Sequence, residues 1–112
     1  MATKTKISFV LPKSLKEEFF ESMIRSKYTL REKSKWIAEA IEGLLQISHY
    51  PELVSYNDVM RGFDANETIV IDYALKLKLE KAILTIRKEF PTLDGVKSGI
   101  VRTAIMQRIL RS

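Results

Sequence analysis

One nine-residue phrase occurs twice in this sequence at a fixed separation. Residues 33–41 have the sequence KSKWIAEAI, and residues 97–105, 64 positions later, have the sequence KSGIVRTAI. Both copies begin with Lys-Ser, end with Ala-Ile and carry apolar residues three or four positions apart, which is typical of one face of a helix. A repeat at a fixed offset indicates a duplicated structural unit.

A short strand and a first helix are predicted ahead of the first copy. Residues 6–12, KISFVLP, alternate apolar and polar side chains up to a proline, as expected of a strand with one buried face. Apolar residues then follow at helical spacing over residues 15–26, before the helix of the phrase itself. Two capping-box spacings are expected to open the two helices: Ser14 with Glu17, and Thr29 with Glu32.

The same plan returns in the second half when positions are shifted by 64. Residues 67–75, ETIVIDYAL, are rich in β-branched side chains and are predicted to form the second strand. On this offset Ala74 faces outward, and Ile71, Tyr73 and Leu75 take the inward places of Ile7, Phe9 and Leu11.

A lone strand leaves its backbone groups unpaired, and one strand with two short helices cannot bury a stable core. We therefore predict an α+β, mostly helical fold in which two strand–helix–helix units in one chain form a pseudo-dimer. The strands would pair as a two-stranded antiparallel ribbon covered by four helices. The expected organisation is a first unit at 1–46, a connector at 47–66 with a short helix near 52–60, and a second unit at 67–112.

The composition indicates a cytoplasmic protein with a mild excess of positive charge. The chain has 112 residues, a net charge of +5 and no cysteine, so disulfides and thiolate metal sites are excluded. No apolar run has the length of a membrane span, and the first ten residues lack the apolar core of a signal peptide. The two expected units are basic and the connector between them is acidic.

Both halves resemble the ribbon–helix–helix family of DNA-binding proteins, to which the Arc and MetJ repressors belong. The resemblance rests on the alternating strand closed by Pro12, the helix that Leu15 opens, and the phrase at 33–41, which is similar to the family's Arg-Ser-x-x-Ile-x-x-Ala-Ile. The second half keeps the phrase at 97–105 but has Lys76 where the first has Pro12 on the offset of 64. Two units in one chain resemble the TraY-type accessory proteins of conjugative plasmids.

This resemblance implies sequence-specific binding of double-stranded DNA, with the ribbon in the major groove. Strand side chains that face away from the core would contact base edges: Lys4, Lys6, Ser8, Val10, Thr68, Val70 and Asp72. The starts of the two repeated helices would bind phosphates: Lys33, Ser34, Lys35, Lys97 and Ser98. The expected function is that of a transcriptional regulator such as a repressor.

Two alternatives remain open. The chain could be a relaxosome accessory factor in plasmid conjugation, or a protein-interaction module that keeps the fold without reading DNA. Enzyme activity and cofactors are not expected, because the single histidine, His49, lies in the connector and no metal-ligand or phosphate-loop spacing occurs. Membrane contact is not expected either, since no apolar run has the length of a membrane span. Beyond DNA, the expected partners are a second copy on an adjacent site and a protein docked at the connector.

Overall fold

The computed structural model describes residues 3–57 and 62–111, which form an α+β, mostly helical structure with one two-stranded antiparallel sheet. In chain order its elements are β1 (Lys4–Leu11), α1 (Lys13–Arg25), a 3-10 turn (Leu30–Glu32), α2 (Lys33–Leu45), α3 (Tyr50–Tyr56), β2 (Ala65–Asp72), α4 (Tyr73–Glu89) and α5 (Val96–Arg111).

The two strands pair with each other as an antiparallel ribbon, as predicted. Ser8 lies opposite Thr68, and the ribbon ends at the Lys4–Asp72 and Leu11–Ala65 pairs. Buried and exposed residues alternate along both strands. Because side chains point to opposite faces at successive positions, one face of the ribbon lies on the helices and the other faces solvent.

The core lies between the inner face of the ribbon and the helices. The two repeated phrases do form helices, α2 and α5, which pack against each other and place Trp36, Ile37 and Ile105 among the fully buried side chains. The Trp36 ring is 4.9 Å from that of Phe19 in α1. Each such apolar side chain contributes about 1.5–3 kcal/mol through its burial.

The second strand does not extend as far as the sequence analysis placed it. β2 ends at Asp72, so the prediction that Tyr73, Ala74 and Leu75 continue the strand is wrong. These residues open α4 instead, because buried residues recur at helical spacing from Leu75 onward. β2 also begins at Ala65, ahead of the predicted start of the second unit at residue 67.

Neither capping box opens the helix for which it was predicted, although the second one does form at the 3-10 turn before α2, which itself begins at Lys33. The Ser14–Glu17 capping box is wrong, since α1 begins at Lys13, directly after its N-cap Pro12. The Thr29–Glu32 capping box is present, with the Thr29 N–H donating to the Glu32 carboxylate at 2.9 Å. The N–H and the hydroxyl of Thr29 hold the pKa of Glu32 below its ordinary value.

The connector contains a short helix, as predicted. This helix is α3, at Tyr50–Tyr56, and the last part of the range predicted for it, residues 58–60, lies outside the described residues. Within 3–57 and 62–111, the structure has no helix with the length and apolar character needed to span a bilayer.

Candidate nucleic-acid interface

All of the predicted base-contacting residues lie on the solvent-facing side of the ribbon, which we call the outer face. They form cross-strand pairs in which Ser8 faces Thr68, with their hydroxyl oxygens 2.9 Å apart. The other predicted positions are also exposed: Lys4 opposite Asp72, Lys6 opposite Val70, and Val10. The pairing of β1 with β2 thus brings seven residues, from two segments that are distant in sequence, onto one continuous surface.

Sequence reasoning missed Asn66, which lies on the same outer face opposite Val10. Its side-chain amide is both a donor and an acceptor, the combination that pairs with adenine in the major groove. The omission came from starting the second strand at residue 67. Extending the alternation of Thr68 and Val70 by one further step toward the N-terminus would have found it.

The charge on the outer face is partly neutralised. Lys4 and Asp72 form an ion pair with 3.0 Å between the ammonium and the carboxylate, and both side chains are more than half exposed. Such a surface pair contributes about 0–1 kcal/mol to stability. Among the described residues, Lys6 has no carboxylate within 4.0 Å of its ammonium, so it is the cation of this face that is available to a ligand.

Lys33, a predicted phosphate ligand, is held by a carboxylate on the inner face of the ribbon. Its ammonium lies 2.6 Å from Glu67, and the ammonium of Lys16 lies 2.8 Å from the other carboxylate oxygen. Burial alone would raise the pKa of Glu67, but hydrogen bonds and positive charges from Lys16 and Lys33 hold that pKa below its ordinary value. In this structure Lys33 therefore compensates a buried charge.

Ser34 and Ser98 bind the edges of the ribbon. The Val70 N–H donates to the Ser34 hydroxyl at 3.0 Å, and the Val10 N–H donates to the Ser98 hydroxyl at 3.3 Å. In a two-stranded sheet each strand is an edge, so these hydroxyls satisfy backbone donors that would otherwise need water. The two hydrogen bonds also fix the starts of α2 and α5 on either side of the outer face.

The remaining predicted phosphate ligands, Lys35 and Lys97, are exposed at these helix starts. The Lys35 ammonium lies 4.0 Å from the Glu32 carboxylate and 5.9 Å from the centre of the Tyr28 ring. A groove of about 590 Å³ separates the ribbon from the start of α2. Arg31, a cation that the sequence analysis did not select, also lines this groove. Its lining includes Lys4, Arg31, Ser34, Lys35, Val70 and Asp72.

A second groove, of about 300 Å³, lies between the ribbon and the start of α5. Arg102, which sequence reasoning also missed, donates to the Val10 carbonyl at 2.9 Å, and its guanidinium lies 4.1 Å from the centre of the Phe63 ring. Within the repeated phrase this position is alanine in the first copy, Ala38, and the phrase gave no signal for an arginine here. The outer face thus has a groove on each side.

Comparison of the chain with models of protein families, with curated proteins and with solved structures finds no match in any of the three. A role for the chain therefore has to come from its own residues and their arrangement.

Proposed function

We propose that this chain binds double-stranded DNA with its ribbon in the major groove and acts as a transcriptional regulator. The observation that carries the proposal is the outer face, an exposed two-stranded ribbon bearing rows of side chains able to contact base edges. The major groove of B-DNA is about 12 Å wide and admits such a ribbon. The same surface would serve a relaxosome accessory factor, which differs in the target site rather than in the chemistry.

We also propose that the two halves are copies of one ribbon–helix–helix unit, related by an approximate twofold axis through the Ser8–Thr68 pair. The backbone supports this, because the residues that precede α1 and α4 have nearly the same angles. Pro12 has φ −64° and ψ 144°, and Asp72 has φ −66° and ψ 147°. Matching these two residues relates the strands and first helices by an offset of 60 positions, since 72 − 12 = 60.

The offset of 60 positions is four smaller than the offset of 64 between the two repeated phrases, and the helix lengths explain the difference. α4 has 17 residues and α1 has 13, so the second unit carries four additional residues before its last helix. The hydrogen bonds at the ribbon edges follow both offsets. Val10 and Val70 are 60 positions apart, and their acceptors Ser98 and Ser34 are 64 apart.

Under this symmetry the outer faces of the two strands are similar but not identical. Ser8 corresponds to Thr68 and Val10 to Val70, whereas Lys6 corresponds to Asn66. Lysine favours guanine and asparagine favours adenine in the major groove. The proposed target is therefore a site of two similar half-sites that differ at the position contacted by Lys6 in one and by Asn66 in the other.

The proposed phosphate contacts come from both sides of the outer face. Lys35 and Lys97 are exposed at the starts of α2 and α5, and backbone N–H groups at helix starts favour anions. With Arg31, which lines the groove beside the start of α2, about three phosphates would be neutralised, so the affinity should fall with salt at a log–log slope of about −3.

A protein-interaction module is the second candidate, and one observation favours it. Two of the cations expected to contact DNA are neutralised within the chain, Lys4 by Asp72 and Lys33 by Glu67. A module of this kind would bind a partner protein through the outer face without any preference for DNA.

Selection from a random duplex library, followed by titration at two salt concentrations, tests the proposal. Lys6→Ala and Asn66→Ala should each lose about 1–3 kcal/mol of binding to the selected site and relax its preference at a different half-site position. Arg25→Ala, at the exposed end of α1, is the control that removes one positive charge away from the ribbon. Absence of salt-sensitive binding to any duplex would leave the interaction module as the better account.

A further inference from the structure

Helices α1 and α4 leave the ribbon at opposite ends. α1 begins beyond Leu11, which pairs with Ala65, and α4 begins directly after Asp72, which pairs with Lys4. Seven residue steps of about 3.4 Å separate these two ends, or roughly 24 Å. Each end of the molecule therefore carries one of the two helices.

The exposed faces of these two helices carry opposite charges. On α1 the exposed charged residues in the middle of the helix are Glu17, Glu18 and Glu21. On α4 the exposed charges have a positive excess, with Glu80 and Glu89 against four cations: Lys78, Lys81, Arg87 and Lys88. Among the described residues, none of these charged side chains of α1 and α4 forms an ion pair within 4.0 Å.

The opposite charges fall at positions that correspond under the offset of 60. Glu18 corresponds to Lys78 and Glu21 to Lys81. Beside them Ile24 of α1, 64% exposed, corresponds to Leu84 of α4, 62% exposed. α4 also exposes Tyr73 and Leu77. Similar shape with inverted charge makes the two faces complementary to each other, while each face repels a copy of itself.

We propose that a second copy of this chain docks head to tail, with the acidic face of α1 in one molecule against the basic face of α4 in the next. The ion pairs would select the orientation, and burial of Ile24 and Leu84 would contribute the apolar contact. Because the two faces are different surfaces, the contact is heterologous, and it repeats into an open row where the rotation per step does not close a ring. Extension of the row along adjacent DNA sites rests on the proposed function, whereas the contact itself does not.

Disulfide trapping without DNA tests this contact, because the natural chain has no cysteine. Ile24→Cys and Leu84→Cys are prepared as separate variants and mixed in a glutathione redox buffer at about 10 mM ionic strength, where screening is weak. The mixture should form at least fivefold more mixed disulfide than either variant forms with itself. Tyr56→Cys, at an exposed site on α3, is the control for random collision.

Charge reversal separates a specific contact from adventitious collision. Glu21→Lys added to the Ile24→Cys variant should reduce the mixed disulfide several-fold, and Lys81→Glu added to the Leu84→Cys variant should restore it. Thermal melts of each variant verify that these exposed substitutions leave the fold intact. Self-disulfides equal to the mixed product, trapping by Tyr56→Cys at the same yield, or insensitivity to charge reversal would each overturn the proposal. None of these outcomes depends on DNA binding, so either proposal can fail without the other.

Discussion

Glu67 accepts a hydrogen bond of 2.6 Å from the Lys33 ammonium at the buried side of the ribbon. Glu67 is only 8% exposed, and its second carboxylate oxygen is held by Lys16. The contact joins β2 to the start of α2 and, through Lys16, to α1. Lys33 therefore has a structural role, and a loss of DNA binding in a Lys33 variant would not by itself demonstrate a phosphate contact.

We expect Glu67→Ala to lower the free energy of unfolding by about 2 kcal/mol, because it leaves two lysines beside an apolar cavity. The loss stays below the value of about 3–5 kcal/mol for a fully buried pair, since Lys33 is 29% exposed and can reach water. A double-mutant cycle with Lys33→Ala, measured by urea unfolding, should give a coupling energy of about 1 kcal/mol. Glu52→Ala, at an exposed site on α3, is the control; equal losses for Glu67 and Glu52 would contradict the role of the pair.

Acid should destabilise the protein partly through Glu67. Its pKa is lowered in the folded state, so the unfolded chain binds more protons and stability falls as pH decreases. The contribution is fully present above the ordinary glutamate pKa of about 4.3–4.5 and is lost as pH falls through the lower folded value. Glu67→Gln should flatten the decline of the urea midpoint between neutral pH and the acid range. A decline as steep as that of the natural protein would show that Glu67 does not contribute.

The serines at the ribbon edges should contribute to stability independently of any ligand. Ser34→Ala and Ser98→Ala each remove one hydrogen bond to a strand N–H, and each should cost about 0.5–1.5 kcal/mol in urea unfolding. Ser48→Ala, at an exposed position of the connector, is the matched control. If both variants unfold like the control, the hydroxyls do not hold the ribbon.

Asp72→Asn should strengthen DNA binding. The substitution removes the carboxylate that pairs with Lys4 and repels phosphates, so one more cation becomes available on the outer face. The log–log salt slope should become steeper by about one unit, with several-fold tighter binding at low salt. A weaker complex would instead indicate that the Asp72 carboxylate accepts a hydrogen bond from a base.

The repeated phrase predicted α2 and α5, and the alternating segments 6–12 and 67–75 predicted two paired strands and the residues of the outer face. The register of β2 and α4 was not predictable from the phrase, because α4 has four more residues than α1 and a single offset cannot match both α1 with α4 and α2 with α5. The error did not exchange the two faces of β2. Four is an even number, so Thr68, Val70 and Asp72 kept their outward orientation while Ala74 fell in the helix.

The contacts of the charged residues could not be predicted from the sequence. Glu67 occupies an inward position of β2 that alternation alone would assign to an apolar residue. Its two lysine partners lie 51 and 34 positions away, since 67 − 16 = 51 and 67 − 33 = 34. Only the folded arrangement shows that these lysines meet a buried carboxylate, and that Ser34 and Ser98 face strand edges.

Backbone amide chemical shifts, followed by NMR during titration with a selected duplex, show which surface of the protein contacts DNA. We expect the largest changes on the outer-face residues Lys6, Ser8, Asn66 and Thr68 and at the starts of α2 and α5. Changes centred on α3 or on the exposed faces of α1 and α4, with the ribbon unaffected, would contradict this expectation.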